Sequence, residues 1–137
     1  MILIVCVDDS MGMMFNKRRQ SKDAVVRENM LALLPEGKKL YVSPYTARQF
    51  LPEEQEQLMI CENICDVTEG ETFCFLEDTD PVLFADRTEK IILYRWNRAY
   101  PSDVKFTLDL SGYELESTLE FVGKSHPEMV REIYRRK

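Results

Sequence analysis

The stretch Ile2–Asp23, ILIVCVDDSMGMMFNKRRQSKD, decides how the rest of the chain is read. Ile2 to Val7 is apolar without interruption and rich in β-branched residues, and Asp8-Asp9 ends it abruptly. So short a run without polar alternation predicts a central strand buried on both faces. A Met-rich turn follows, and then Lys17, Arg18, Arg19 and Lys22 gather within six residues. Ser21 is placed to cap a helix, with Asp23 in its first turn, where the helix dipole favours a carboxylate. Val26, Met30, Leu33 and Leu34 give that helix one apolar stripe, and Pro35 and Gly37 stop it. The cations therefore occupy a strand-to-helix connection at the carboxyl end of a central strand, where open α/β sheets bind ligands.

Outward from this stretch the alternation continues. Lys39 to Val42 reads as a second strand, and Ser43-Pro44 is a helix start, a capping hydroxyl followed by proline at the first helical position. Pro52 cuts that helix short. Within 53–70, EEQEQ is a solvated acidic stretch, LMICENICDV suggests a strand and a helical turn, and Gly70 closes the segment. Thr72 to Leu76 is an aromatic-rich strand. Thr79 or Asp80 caps a short helix from Pro81. Glu89 to Trp96 is a strand, residues 97–103 a loop, and Val104 to Leu108 and Tyr113 to Leu119 strands divided by a Ser111-Gly112 turn. Met129, Val130, Ile133 and Tyr134 fit a helical stripe, while MVREIYRR also suits an edge strand blunted by charge. Alternating strands and helices at the front predict parallel pairing, and the strand-rich tail an antiparallel extension. The expectation is one α/β domain over residues 1–137.

The bulk composition narrows the class. No apolar run approaches the ~18 residues that span a bilayer. The opening MILIVCV lacks a basic region and runs into two aspartates, unlike a signal peptide, so the cytoplasm is expected. Cys6, Cys61, Cys65 and Cys74 read as buried reduced thiols, because one histidine and one C-x₃-C pair do not make a tetrahedral zinc site. No metal is expected. A net charge of −6 disfavours nonspecific nucleic-acid binding, although a local basic patch can persist within it.

Laid end to end, ILIVCVDDSMGM, SKDAVVRENML, KKLYVSPYTARQF, ETFCFLEDTDPVLFADRTEKIILYRW and FVGKSHPEMVREIYRR resemble the dihydrofolate reductase family over nearly the whole chain. They resemble its first strand with a mobile loop, its first helix with the catalytic acid at the start, its second strand and helix, its later strand pair and its closing hairpin. The resemblance implies a mixed β-sheet flanked by short helices, a C-terminal strand rather than a helix, and Asp23 as the acid, its pKa raised by burial for proton transfer. It also implies Thr46 at the family's threonine position. Departures carry equal weight. Leu76-Glu77-Asp78 replaces the glycine pair that lets backbone approach a dinucleotide pyrophosphate, and two carboxylates there repel phosphate. Ser43-Pro44 replaces the family's Gly-Arg, and no tryptophan precedes Asp23. These departures argue against hydride transfer and leave the cofactor unknown. MMFNKRRQSKD and ILYRWNRAYP also resemble short bacterial proteins labelled ribonuclease Z, but the H-x-H-x-D-H di-zinc signature of that enzyme is missing.

The residues set forward as a site are Asp23 as the catalytic carboxylate and Lys17, Arg18, Arg19, Tyr45, Thr46, Arg95 and Arg98 as ligand contacts. Cations ahead of a helix N-terminus suit an anion held between them and the free N–H groups; the plain alternative is a solvated loop. RWNRAYP (95–101) offers two arginines and two aromatics for stacking or clamping, or simply a packed loop with Trp96 in the core. Asp8 and Asp9 read as solvated turn residues, and Ser125-His126 as a surface turn rather than a catalytic pair. The leading expectation is a small anionic or heterocyclic ligand bound at the loop 8–23. The alternatives are a divergent NADPH-dependent reductase and an RNA- or protein-binding module.

Overall fold

The computed structural model describes residues 1–67 and 71–137. The stop assigned to Gly70 and the side chain of Cys65 lie outside that set. In chain order the strands and helices are β1 (Ile2–Val7), β2 (Gly12–Phe15), β3 (Arg18–Arg19), α1 (Ala24–Ala32), β4 (Leu40–Val42), α2 (Pro44–Ala47), β5 (Leu58–Ile60), β6 (Phe73–Leu76), β7 (Lys90–Arg95), β8 (Val104–Lys105), β9 (Tyr113–Phe121) and β10 (Met129–Arg136). Short 3₁₀ turns fill Pro52–Gln57, Ile64–Asp66, Pro81–Arg87 and Leu110–Gly112.

The result is an α/β fold built on a seven-stranded mixed sheet in the order β5-β4-β6-β1-β7-β10-β9, with a smaller sheet, β3-β2-β8, beside it. β1 lies parallel to both β6 and β7, and β4 lies parallel to β5 and β6. β10 runs antiparallel to β7 and to β9. Both faces of β1 are covered, which is why its sequence shows no polar alternation. Leu3, Val5 and Val7 pack with Phe84, Phe106 and Tyr113 on one side, while Ile2 and Ile4 pack with Val26, Met30, Phe50 and Trp96 on the other. Among the described residues no helix is long and apolar enough to cross a membrane.

Several expectations hold for local reasons. The Ser43 hydroxyl accepts from the Thr46 N–H at 3.1 Å with Pro44 in the first turn, and Asp80 caps the turn that starts at Pro81. Others change. Helix α1 is capped by Asp23 itself, whose carboxylate accepts from the Val25 and Val26 N–H groups, so Ser21 lies outside the helix. The loop 8–23 is a β-hairpin: Asn16 and Lys17 both have positive φ, 52° and 61°, as a type I′ turn demands, and Phe15 pairs with Arg18. β8 joins that hairpin through β2 rather than pairing with β9. Asp8 is buried, not solvated; its Oδ1 accepts from the Ser10 and Gly12 N–H groups and its Oδ2 from the Tyr100 N–H.

The C-terminus is a strand. The helical stripe loses because β7 is a buried strand whose outer backbone groups need partners, and only extended chain supplies a ladder of them. Val130 to Arg135 pair in sequence with Arg95 to Lys90, and β9 covers the far edge of β10.

Candidate functional site

Two segments place Arg19 where its charge is used. The I′ turn folds β3 back along β2, and β6 ends at Leu76, so that Glu77 emerges beside it. The Arg19 guanidinium donates twice to the Glu77 carboxylate, Nε to Oε2 at 2.9 Å and Nη2 to Oε1 at 3.1 Å, and Nη2 also donates to the Tyr45 carbonyl at 3.1 Å. It lies 4.3 Å over the Tyr45 ring, while the Arg19 N–H donates to the Tyr45 hydroxyl at 2.9 Å. Burial works against the charge, but the Glu77 bonds outweigh it and raise the Arg19 pKa. The anion that meets this arginine is therefore internal, and it comes from the strand end where the resemblance implies glycine.

Asp23 is the second anchor. Gly123-Lys124-Ser125, between β9 and β10, wraps its carboxylate: Oδ1 accepts from the Val25 N–H at 2.8 Å and the Lys124 N–H at 3.0 Å. Oδ2 accepts from the Ser125 N–H at 2.7 Å and the Ser125 hydroxyl at 2.9 Å. A Cβ on Gly123 would stand 2.7 Å from Oδ2, so only glycine lets the loop approach this closely. Burial pushes the carboxyl up, as a proton donor requires, but the Lys124, Ser125 and Val25 donors overcome it and hold Asp23 well below the ordinary carboxylate range. The raised pKa expected from the sequence is corrected: Asp23 is a tightly held anion with its acceptor capacity taken up.

His126 is buried as well, not a surface turn residue. Its Nδ1 lies 2.8 Å from the Ser125 hydroxyl, its Nε2 lies 2.9 Å from the Tyr100 hydroxyl, and its ring packs 4.6 Å from Trp96. Burial, then the charge of Arg98, lowers its pKa. One proton arrangement satisfies the set: Ser125 donates to Asp23, Nδ1–H of neutral His126 donates to Ser125, and Tyr100 donates to Nε2. Serine sits between the acid and the histidine, which is the wrong order for histidine to activate it.

Behind the Arg19–Glu77 pair is a cavity at the carboxyl ends of β1 and β6, with space of about 10 Å³, room for a single water. Asp23 and Trp96 line it, with Cys6, whose thiol is pushed up by burial and then by the Glu77 and Asp23 charges. Among the described residues four buried side-chain atoms have no hydrogen-bond partner, and three of them, Gln20 Oε1, Arg27 Nε and Gln49 Nε2, belong to residues lining this one cavity. Arg27 and Gln49 are each 8% exposed. The nearest carboxylate to Arg27 is Glu54, whose Oε1 is 3.6 Å from Nε, too long for a hydrogen bond, and it already accepts from the Leu51 N–H.

Of the residues set forward, Arg19 and Asp23 share the cavity. Arg18 faces an outer slot with Phe15, Tyr100 and Pro101, and Lys17 and Tyr45 line a separate surface groove. Thr46 is buried in the turn of α2, its hydroxyl accepting from Ser43. Arg95 pairs with Glu132 at 2.6 Å, and Arg98 is exposed at the rim near His126. Sequence reasoning missed Arg27 and Gln49. Arg27 carried a signal, since it stands one turn after Asp23 between Val26 and Met30 on the inward side of α1. Gln49 carried none. Comparison of the sequence with protein-family models and with curated proteins finds no match.

Proposed function

We propose that this chain is a dihydrofolate-reductase-like protein that binds a small anionic or heterocyclic ligand in the cavity between β1, β6 and α1. The observation that carries this reading is that three of the buried polar atoms without a hydrogen-bond partner belong to residues lining one cavity. An unpaired buried donor or acceptor costs roughly 1–3 kcal/mol, and a ligand that pairs all three recovers that cost on binding. Arg27 and Gln49 supply donors to a carboxylate, carbonyl or ring nitrogen, Gln20 supplies an acceptor, and Trp96 forms an apolar wall. The order strand, loop, helix with an acid at its start, and closing hairpin is what the resemblance implies, and the order β1, loop 8–23, Asp23-capped α1 and β9–β10 agrees with it.

By the resemblance, Glu77 and Asp78 take the positions of the glycine pair that admits a dinucleotide phosphate, and Glu77 is committed to Arg19. That argues against hydride transfer and against the reductase alternative. A ligand larger than water needs the Arg19–Glu77 pair to part, so its apparent affinity is reduced by the fraction of time the pair is open.

A thermal-shift screen of the intact chain against pterins, nucleotides including NADPH, and small acidic metabolites tests the reading. At least one compound should stabilise the wild type and lose about tenfold or more in affinity in Arg27→Met and Gln49→Leu. No stabilisation by any compound, or stabilisation untouched by both substitutions, would remove the cavity as the site.

A further inference from the structure

Four cations that the cavity does not use, Arg18, Lys22, Arg98 and Lys124, stand on three segments joined to one another, with Lys17 in the groove alongside. The segments 17–23, 97–101 and 122–126 are stitched by Lys124 and Ser125 donating to Asp23, with the Ser125 hydroxyl 3.2 Å from the Lys22 carbonyl, and by Tyr100 on His126. They carry six cations and a single carboxylate, the buried Asp23, in a chain of net charge −6. Arg19 is neutralised by Glu77. Lys17, Arg18, Lys22, Arg98 and Lys124 are exposed, and none makes an ion pair among the described residues. Elsewhere Lys90 and Arg135 share Glu116, while Lys38, Lys39, Arg48 and Lys105 are exposed without an ion pair among the described residues, so what sets this face apart is the grouping of its cations. Asp9 and Asp103 flank the face; the Oδ2 of Asp103 already accepts from the Asn16 N–H.

The same face carries an aromatic slot. Phe15, 45% exposed, and the half-buried Tyr100 line an open space of about 240 Å³ with Arg18 and Pro101. An exposed phenylalanine beside a free guanidinium is a stacking surface for a planar ring that carries negative charge. Acidic peptides offer the charge without the ring, and duplexes keep their bases stacked inside.

We propose that this face binds single-stranded nucleic acid, its phosphates on Arg18, Lys22, Arg98 and Lys124 and one unstacked base in the slot beside Phe15 and Tyr100. The hydrogen bonds that join the three segments fix the backbone that carries the cations before binding, so the segments need little ordering on contact. Arg19 and Gln20 line both the slot and the buried cavity, but the cations and rings named here do not include them.

The test is fluorescence anisotropy of the intact protein with a labelled 12-nucleotide oligouridine between 50 and 200 mM salt. With three to four phosphates contacted, affinity should fall about 18- to 50-fold over that range. Arg18→Ala with Arg98→Ala should flatten the log–log salt slope by about 1.4, and Phe15→Ala should weaken binding roughly tenfold with the slope unchanged. Lys38→Ala, outside the face, should alter neither. No binding at 50 mM salt, an unchanged slope in the double variant, or displacement by polyglutamate as readily as by unlabelled oligouridine would overturn the proposal.

Discussion

Replacing Asp23 by asparagine isolates the contact that ties the start of α1 to the β9–β10 connection. Asparagine keeps one carbonyl oxygen, which can serve the Val25 and Lys124 N–H groups that now share Oδ1. Its amide nitrogen then faces the Ser125 N–H, donor against donor, across what is now 2.7 Å. The Ser125 hydroxyl can adapt, since the Lys22 carbonyl lies 3.2 Å away as another acceptor. The loss is one charge-assisted hydrogen bond, about 1.5–3 kcal/mol, plus an unsatisfied, part-buried N–H of about 1–3 kcal/mol. A total near 4 kcal/mol at pH 7 is a large share of the ~5–15 kcal/mol that holds a domain together, and lowers the melting temperature by roughly 10–15 °C. The pH dependence adds a second signature. The Asp23 pKa is lowered in the folded protein, so its contribution is fully present above the unfolded value near ~3.9 and is lost as pH falls below that. Wild type and D23N should therefore converge in stability between about pH 4 and pH 2. Urea denaturation at pH 7 and pH 3 measures both. A D23N penalty under ~1 kcal/mol at pH 7, or a gap that stays constant with acid, would refute the account of Asp23 as a tightly held anion.

Gly123→Ala should cost about 2 kcal/mol, because its Cβ would meet Asp23 Oδ2 and the His126 carbonyl, whereas Gly112→Ala meets nothing and should be near neutral; paired denaturation curves decide it. His126 has a lowered folded pKa, so the chain should lose stability as pH falls below ~6.5, and His126→Phe should flatten melting temperature against pH in that region; an unchanged profile would count against a buried neutral imidazole. Glu77→Gln releases Arg19 from its bidentate partner. It should cost about 1–2 kcal/mol while giving inorganic phosphate a site it lacks in the wild type, readable by calorimetric titration; no phosphate binding in the variant would mean that Glu77 does not occupy an anion site.

Much of the fold was legible because its signals are local. An uninterrupted apolar run marks β1, a hydroxyl followed by proline marks α2, and Asp80-Pro81 marks the next turn, each set by neighbours within four residues. The hairpin inside the loop 8–23 was less legible, since Asn16-Lys17 lacks the glycine that usually advertises a I′ turn. For the site, Arg19 and Asp23 were reachable from sequence as charges flanking a helix start. Their partners were not. Glu77 lies 58 residues from Arg19 and Ser125 lies 102 from Asp23, so no spacing rule connects them.

Local pattern along the chain is enough for the central strand, the acid at the head of the first helix and the gathering of cations between them. Tertiary structure decided what those charges do. It turned the C-terminal segment into a strand because β7 had backbone groups to satisfy, it closed Arg19 onto Glu77, and it buried Asp23 against the backbone of residues 123–125. The physical reason is common to all three. Short-range propensity fixes which conformation a segment prefers alone, but a buried charge or an open strand edge takes whatever partner the fold brings within 3 Å, and that partner is set by sheet order rather than by sequence distance.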